Sequence, residues 1–235
     1  MRNFTRLAHK TQKLLSEYHH WLPFFNDCLL CHYSTSSQQL ICQTCLQDLD
    51  NFPLGYDLLF DNPKASADIS HENIDGITLV ATYQRPFSTA LPQLKFHQSI
   101  QHAKWLGQLL SEQLEHLAWR NIDCICPVPL HRERLASRGF NQAELLCRFL
   151  SVTQPIKHLL IRRKSTQAQT RLTRRDRLNN LKNAFYCPHD LTGKSIVLID
   201  DVITTGTTVN EAAKELKRQG ATAVFVAAVA IRLKT

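Results

Sequence analysis

The sequence predicts an α/β protein, a parallel sheet flanked by helices, with a small metal-binding module at its N-terminal end. Three observations carry this. From Gly76 onward apolar runs alternate with amphipathic stretches, the pattern of strands and helices in a parallel sheet covered on both faces. Near the C-terminus the run Ile196-Val197-Leu198-Ile199 leads into Asp200-Asp201 and then a Thr-rich turn. Near the N-terminus two C-x-x-C pairs lie ten residues apart.

In chain order, residues 1–23 read as an amphipathic helix. Leu7, Leu14, Leu15, Tyr18 and Leu22 form a ragged apolar face, opposite Arg6, Lys10 and Lys13. Such a basic helix fits packing on a neighbouring module, and it also fits contact with a membrane surface. Residues 24–50 hold Cys28, Cys31, Cys42 and Cys45. Each pair can aim two thiolates at one ion, and a hairpin joins the pairs into a tetrahedral S₄ site. In a reducing compartment this spacing favours Zn²⁺ over disulfides, and four thiolates leave no position for a reacting water, so the ion is structural. His32 is a candidate substitute ligand. Cys124, Cys126, Cys147 and Cys187 are expected as small buried hydrophobes.

Residues 51–75, rich in Asp, Asn, Pro and Ser, read as a linker or irregular crossing segment. The main domain, 76–235, is expected to run strand 77–83, helix 99–119, strand 122–126, helix 140–151, strand 157–161, strand 195–199, helix 207–219 and strand 223–230. No apolar run is long enough to span a membrane, and the N-terminus lacks the apolar core of a signal peptide, so a cytoplasmic protein is expected.

The chain carries 28 basic and 20 acidic residues, a net charge of +8. Residues 1–120 hold 9 basic against 11 acidic, whereas 121–235 hold 19 against 9, so the excess of +10 lies in the second half. A polyanionic small molecule suits that half, and so does a nucleic-acid backbone.

Chemistry concentrates at three places in it. Asp200 and Asp201 stand at a strand's carboxyl end, where open α/β sheets bind ligands. Thr204, Thr205, Gly206, Thr207 and Thr208 follow at a helix N-terminus, where free N–H groups and the dipole favour phosphate. Carboxylates beside an anion site suit a sugar phosphate, because Asp accepts hydrogen bonds from vicinal hydroxyls. Second, Pro127-Val128-Pro129 fixes a rigid strand exit, after which Arg132, Arg134 and Arg138 crowd one loop and call for an anion between them. Third, Arg162, Arg163, Lys164, Arg171, Arg174, Arg175 and Arg177 make a basic stretch with few apolar side chains. It reads as a mobile loop or hairpin that closes over phosphate or lies along DNA or RNA.

Residues 196–208 resemble the fingerprint of type I phosphoribosyltransferases, with every specified position matched. That resemblance implies binding of 5-phosphoribosyl-1-pyrophosphate (PRPP) with Mg²⁺. Asp200 and Asp201 would hold the ribose hydroxyls as catalytic residues. Val202, Ile203 and Thr204 to Thr208 would form the PRPP loop, and Pro129, His131, Arg132, Arg134 and Arg138 would face the pyrophosphate.

The wider set is more specific: C-x-x-C twice, Pro127-Val-Pro-Leu-His131, Arg134-x-x-x-Arg138-Gly-Phe-Asn-Gln142, then Thr166, Gln169, Leu172, Arg177, Asn180, Ala184 and Phe185. Together these resemble the ComF/GntX family across roughly residues 25–232. The resemblance implies a role in uptake or handling of single-stranded DNA in natural competence, or in using DNA as a nutrient. It also implies a place at the inner face of the cytoplasmic membrane. Partners implied by the same route are a helicase, single-strand-binding proteins and recombination proteins. Whether PRPP is turned over stays open: an active phosphoribosyltransferase with unknown acceptor and a non-catalytic PRPP-sensing DNA adaptor both fit.

Overall fold

A computed structural model describes residues 27–33, 39–97, 99–163 and 183–233. The predicted N-terminal helix and Lys164, Arg171, Arg174, Arg175 and Arg177 lie outside the described residues. The chain divides into two compact units, Met1–Leu49 and Asp50–Thr235. In the first, a turn after Cys28 leads by way of Leu29 N–H, which donates to Leu40 O, to a short helix α1 (Gln43–Gln47).

The second unit is built on a four-stranded parallel sheet of β1 (Gly76–Thr82), β2 (Cys124–Pro127), β5 (Ser195–Ile203) and β6 (Ala223–Ile231), in the order β1-β6-β5-β2. Alternate residues of these strands face opposite sides. Ile77, Leu79, Cys124, Cys126, Ile196, Leu198, Val224 and Val226 share one core with Val209, Ala212, Ala213 and Leu216 of helix α8 (Thr207–Arg218). Helix α5 (Ile100–Glu115) packs on β1 and β6, and helix α7 (Gln142–Cys147) packs on α5 and β5. Helix α4 (Phe87–His97) lies against α5, with Phe87 stacked on Trp105 at 5.7 Å between ring centroids.

The 51–75 segment is no bare linker. It forms helices α2 (Leu58–Asp61) and α3 (Pro63–Ser66), buries Tyr56, Leu58, Ile69 and Ile74, and its Phe52 N–H donates to Val80 O on the open edge of β1. Two of its Asp and Asn residues act as helix caps: Asn62 caps α3, and Asp57 caps α2 and also accepts from Trp119 Nε1–H and Ile77 N–H. The expected strand 157–161 is reduced to a bridge between Ile156 and Ile125, because Lys157 and His158 are exposed and give no continuous apolar run. Ile161–Arg162 (β3) turns away to pair antiparallel with Phe185–Tyr186 (β4).

Four other elements differ from the expectation. The helix expected at 140–151 begins at Gln142, after Asn141, whose carboxamide caps Ala143 N–H, and ends at Cys147. The basic loop after Pro129 contains helix α6 (Arg132–Arg138), capped by His131 and closed by Gly139 in the left-handed region. β5 runs on to Ile203, since the Ala-rich second half of β6 gives it a partner as far as Ile231. The helix read as 99–119 stops at Glu115.

Candidate functional site

The carboxyl ends of the strands define the site. Asp200 and Asp201 sit near the carboxyl end of β5, as expected, with Asp200 opposite Ala228, and the strand runs on to Ile203. Their side chains are fixed by local bonds: Asp201 N–H donates to Asp200 Oδ1 (2.8 Å) and Val202 N–H to Asp201 Oδ1 (2.9 Å). Asp201 is 9% exposed, and Asp200 is half-buried. Two carboxylates held by a rigid strand form an oxygen donor set of the kind that suits Mg²⁺ or sugar hydroxyls.

The turn that follows has a defined shape. Gly206 has φ +69°, and a Cβ there would meet Ser70 O at 2.4 Å. Ser70 N–H in turn donates to Thr205 O (2.9 Å), so the 69–70 segment clamps the loop from one side. Gly206 is the N-cap of α8 and makes no side-chain capping bond. The Thr205 and Thr207 hydroxyls lie 2.9 Å apart, and Asp200, Thr204 and Thr208 line the same small cleft. Val202 and Ile203 supply the rigid strand end. Further back, Asn210 accepts from Asn73 N–H (2.9 Å) and donates to Glu72 Oε2 (2.6 Å), which ties α8 to the 51–75 segment. Asparagine is a weak helix former, and its place in α8 is explained by this bonding.

The second cluster stands one strand away, where β2 pairs with β5. Asn141 Nδ2–H donates to Val128 O, which folds the α6–α7 turn back onto the strand exit at Pro127–Pro129. Arg138 Nη1–H donates to Gln142 Oε1 (3.2 Å), and His131 Nδ1 accepts from Glu133 N–H (3.3 Å). Burial lowers the Arg134 pKa, and the neighbouring Arg138 charge lowers it further. Arg132 is exposed.

Arg162 departs from expectation. It is only 6% exposed, paired in β3–β4 and set over the Phe185 ring at 5.4 Å, so it is not a residue of a mobile nucleic-acid loop. Burial, then the Arg134 charge, brings its pKa down to about 10, against the opposing pull of Asp200. Arg162 therefore lies within electrostatic reach of both Arg134 and Asp200. The sequence offered only a basic run there; the clue was Ala184-Phe185-Tyr186, an apolar partner for Leu160-Ile161-Arg162. Arg163 remains on the surface, stacked on Tyr186 at 3.6 Å.

In the first unit, the Sγ atoms of Cys28, Cys31, Cys42 and Cys45 all lie within 4.8 Å of one another. Cys31 and Cys42 are 3.7 Å apart, close to the roughly 3.8 Å edge of a tetrahedron with Zn–S bonds of about 2.3 Å. Burial raises the Cys28 thiol, but backbone N–H groups of Cys31, Cys42 and Leu30 outweigh it and bring the pKa to about 6. The donor set therefore fits a thiophilic tetrahedral ion. His32 is exposed and is not part of the four-sulfur group. Cys124, Cys126, Cys147 and Cys187 are buried, and burial raises each thiol.

Residues 104–234 match the phosphoribosyl transferase domain family. Among curated relatives, the DNA utilization protein YhgH of Escherichia coli K12 is 34% identical over 215 residues, 88% of this chain and 89% of that one. Competence protein F of Haemophilus influenzae is 31% identical over 221 residues, 85% and 94% respectively. Competence protein ComFC of Bacillus subtilis is 37% identical over 100 residues, 41% and 39%. Among the described residues, no helix is long and apolar enough to cross a membrane.

Proposed function

This chain belongs to the ComF family and carries its phosphoribosyltransferase domain, and on that premise we propose that it binds PRPP with Mg²⁺ and serves the handling of single-stranded DNA. The observation that supports this best is the acid pair followed by the clamped, uncapped turn at Gly206. In this reading the 5′-phosphate takes the free N–H groups and hydroxyls of Thr204–Thr208, and Asp200 and Asp201 receive the ribose hydroxyls. His131, Arg132, Arg134, Arg138 and the backbone at Pro129 face the pyrophosphate, with Arg162 behind them. Mg²⁺, when bound, supplies charge neutralisation for the pyrophosphate. If the C1–O bond breaks, its electron pair leaves with pyrophosphate, and the arginines stabilise the charge gathering there. The cysteine cluster would hold one structural zinc ion.

Calorimetry with PRPP, with and without Mg²⁺, tests the site. Each carboxylate accepting charge-assisted bonds contributes about 1.5–3 kcal/mol, so Asp200→Asn with Asp201→Asn should weaken PRPP binding by at least about 100-fold. Unchanged affinity in that variant rejects the assignment.

The DNA part rests on the basic second half and on the names borne by the relatives. Fluorescence anisotropy with a labelled oligonucleotide should show affinity falling steeply with salt, and the slope should shrink by about one for each arginine removed among Arg171, Arg174 and Arg175. Affinity that ignores salt would exclude that surface.

A further inference from the structure

The register of the sheet brings three residues together that no motif connects. Thr82, Ile231 and Ile203 lie side by side on β1, β6 and β5. The pairing continues one residue beyond each strand: Tyr83 N–H donates to Ile231 O (2.7 Å), and Arg232 N–H donates to Ile203 O (2.8 Å). Tyr83, Arg232 and Thr204 therefore form the next row, at the carboxyl edge where the Thr204–Thr208 turn begins. Within this row the Arg232 guanidinium lies over the Tyr83 ring, with Cζ 4.4 Å from the centroid. Arg232 is exposed, Tyr83 is half-buried, and a second exposed cation, Arg85, stands two residues on.

A guanidinium over a phenol can stack flat on the ring and leave its outer face to solvent. Such a surface takes a second π system, and nucleobases stack on arginine planes and tyrosine rings whatever their sequence. Adjacent strands are about 4.8 Å apart, so the platform stands one to two strands, roughly 5–10 Å, from the Thr turn. That is a gap a ribose and its 5′-ester can bridge.

We infer that Tyr83 and Arg232 form a nucleobase platform, so that this edge takes a nucleotide unit with its base on the platform and its phosphate on Thr204–Thr208. The phosphate half rests on the reading of the turn given above; the platform half does not. The unit is either a free mononucleotide or part of a DNA strand, and the probes below separate the two.

Uridine 5′-monophosphate, ribose 5-phosphate and a twelve-residue oligothymidylate are titrated against wild type, Arg232→Ala, Tyr83→Ala and Tyr83→Phe, with melting temperatures checked. Base stacking should make uridine monophosphate bind about 5- to 100-fold tighter than ribose 5-phosphate. Arg232→Ala and Tyr83→Ala should erase that advantage and leave ribose 5-phosphate unchanged, while Tyr83→Phe should keep it. Dependence on the platform for the oligonucleotide alone would identify the strand as the source. If ribose 5-phosphate fails to bind wild type but oligonucleotide affinity still falls in both alanine variants, the platform stands and the phosphate turn is misread. Variants that change neither the ratio nor the oligonucleotide affinity overturn the inference.

Discussion

Gly206→Ala should lower the stability of the main unit by about 2–5 kcal/mol and abolish PRPP binding. Two costs add. A left-handed backbone costs a residue with a Cβ about 1–2 kcal/mol, and Gly206 holds φ +69°. The new methyl would also stand 2.4 Å from Ser70 O and 3.0 Å from Ser70 N, both backbone atoms that cannot rotate away. Overpacking of that kind costs roughly 1–3 kcal/mol, and relieving it pulls Ser70 N–H off Thr205 O. Against a typical total of about 5–15 kcal/mol this is a large fraction. Gly193→Ala separates the two costs, because Gly193 has φ +76° but nothing lies within 4 Å of its added Cβ. Denaturant unfolding should show Gly206→Ala well below Gly193→Ala. Equal losses in the two variants would mean that the clamp from Ser70 contributes nothing.

The clamp also marks the limit of what a local sequence pattern carries. Asp200-Asp201 and the Thr turn were legible as a strand end running into a helix start, because those features follow one another along the chain. Ser70, Asn73 and Glu72 were not, since their contacts to Thr205 and Asn210 cross more than 130 residues. A run of Asp, Asn, Pro and Ser gives the same pattern whether it caps helices or wanders as a linker. The sheet was legible from its apolar runs, except at its edge: Leu159 and Leu160 are buried and apolar, yet they belong to the turn into β3 and not to the parallel ladder. Helix α4 was hidden by Pro92 in its interior and α6 by its arginines. A run of cations reads as one segment in the sequence, whereas pairing with Phe185 sets its first residue, Arg162, in an antiparallel strand pair.

Metal removal should act on the first unit with comparable force. Among its described residues only Cys28 and Ile41 are buried side chains, so these residues form no apolar core of their own to hold them once the four sulfurs lose a shared ion. Structural zinc in such small modules supplies roughly 10–16 kcal/mol of apparent binding energy, which is also their folding energy. The purified protein should contain about one zinc per chain, and Cys28→Ser or Cys45→Ser should lose it. The second unit has its own sheet and core, so chelation should abolish protection from hydrogen exchange across residues 27–49 while leaving β5 and β6 protected. Protein that carries no metal but resists exchange at 27–49 would sink the zinc assignment, and a pair of disulfides among the four cysteines would then be the state to look for. Loss of protection in β5 as well would mean that the sheet depends on the module, and that its core alone does not suffice.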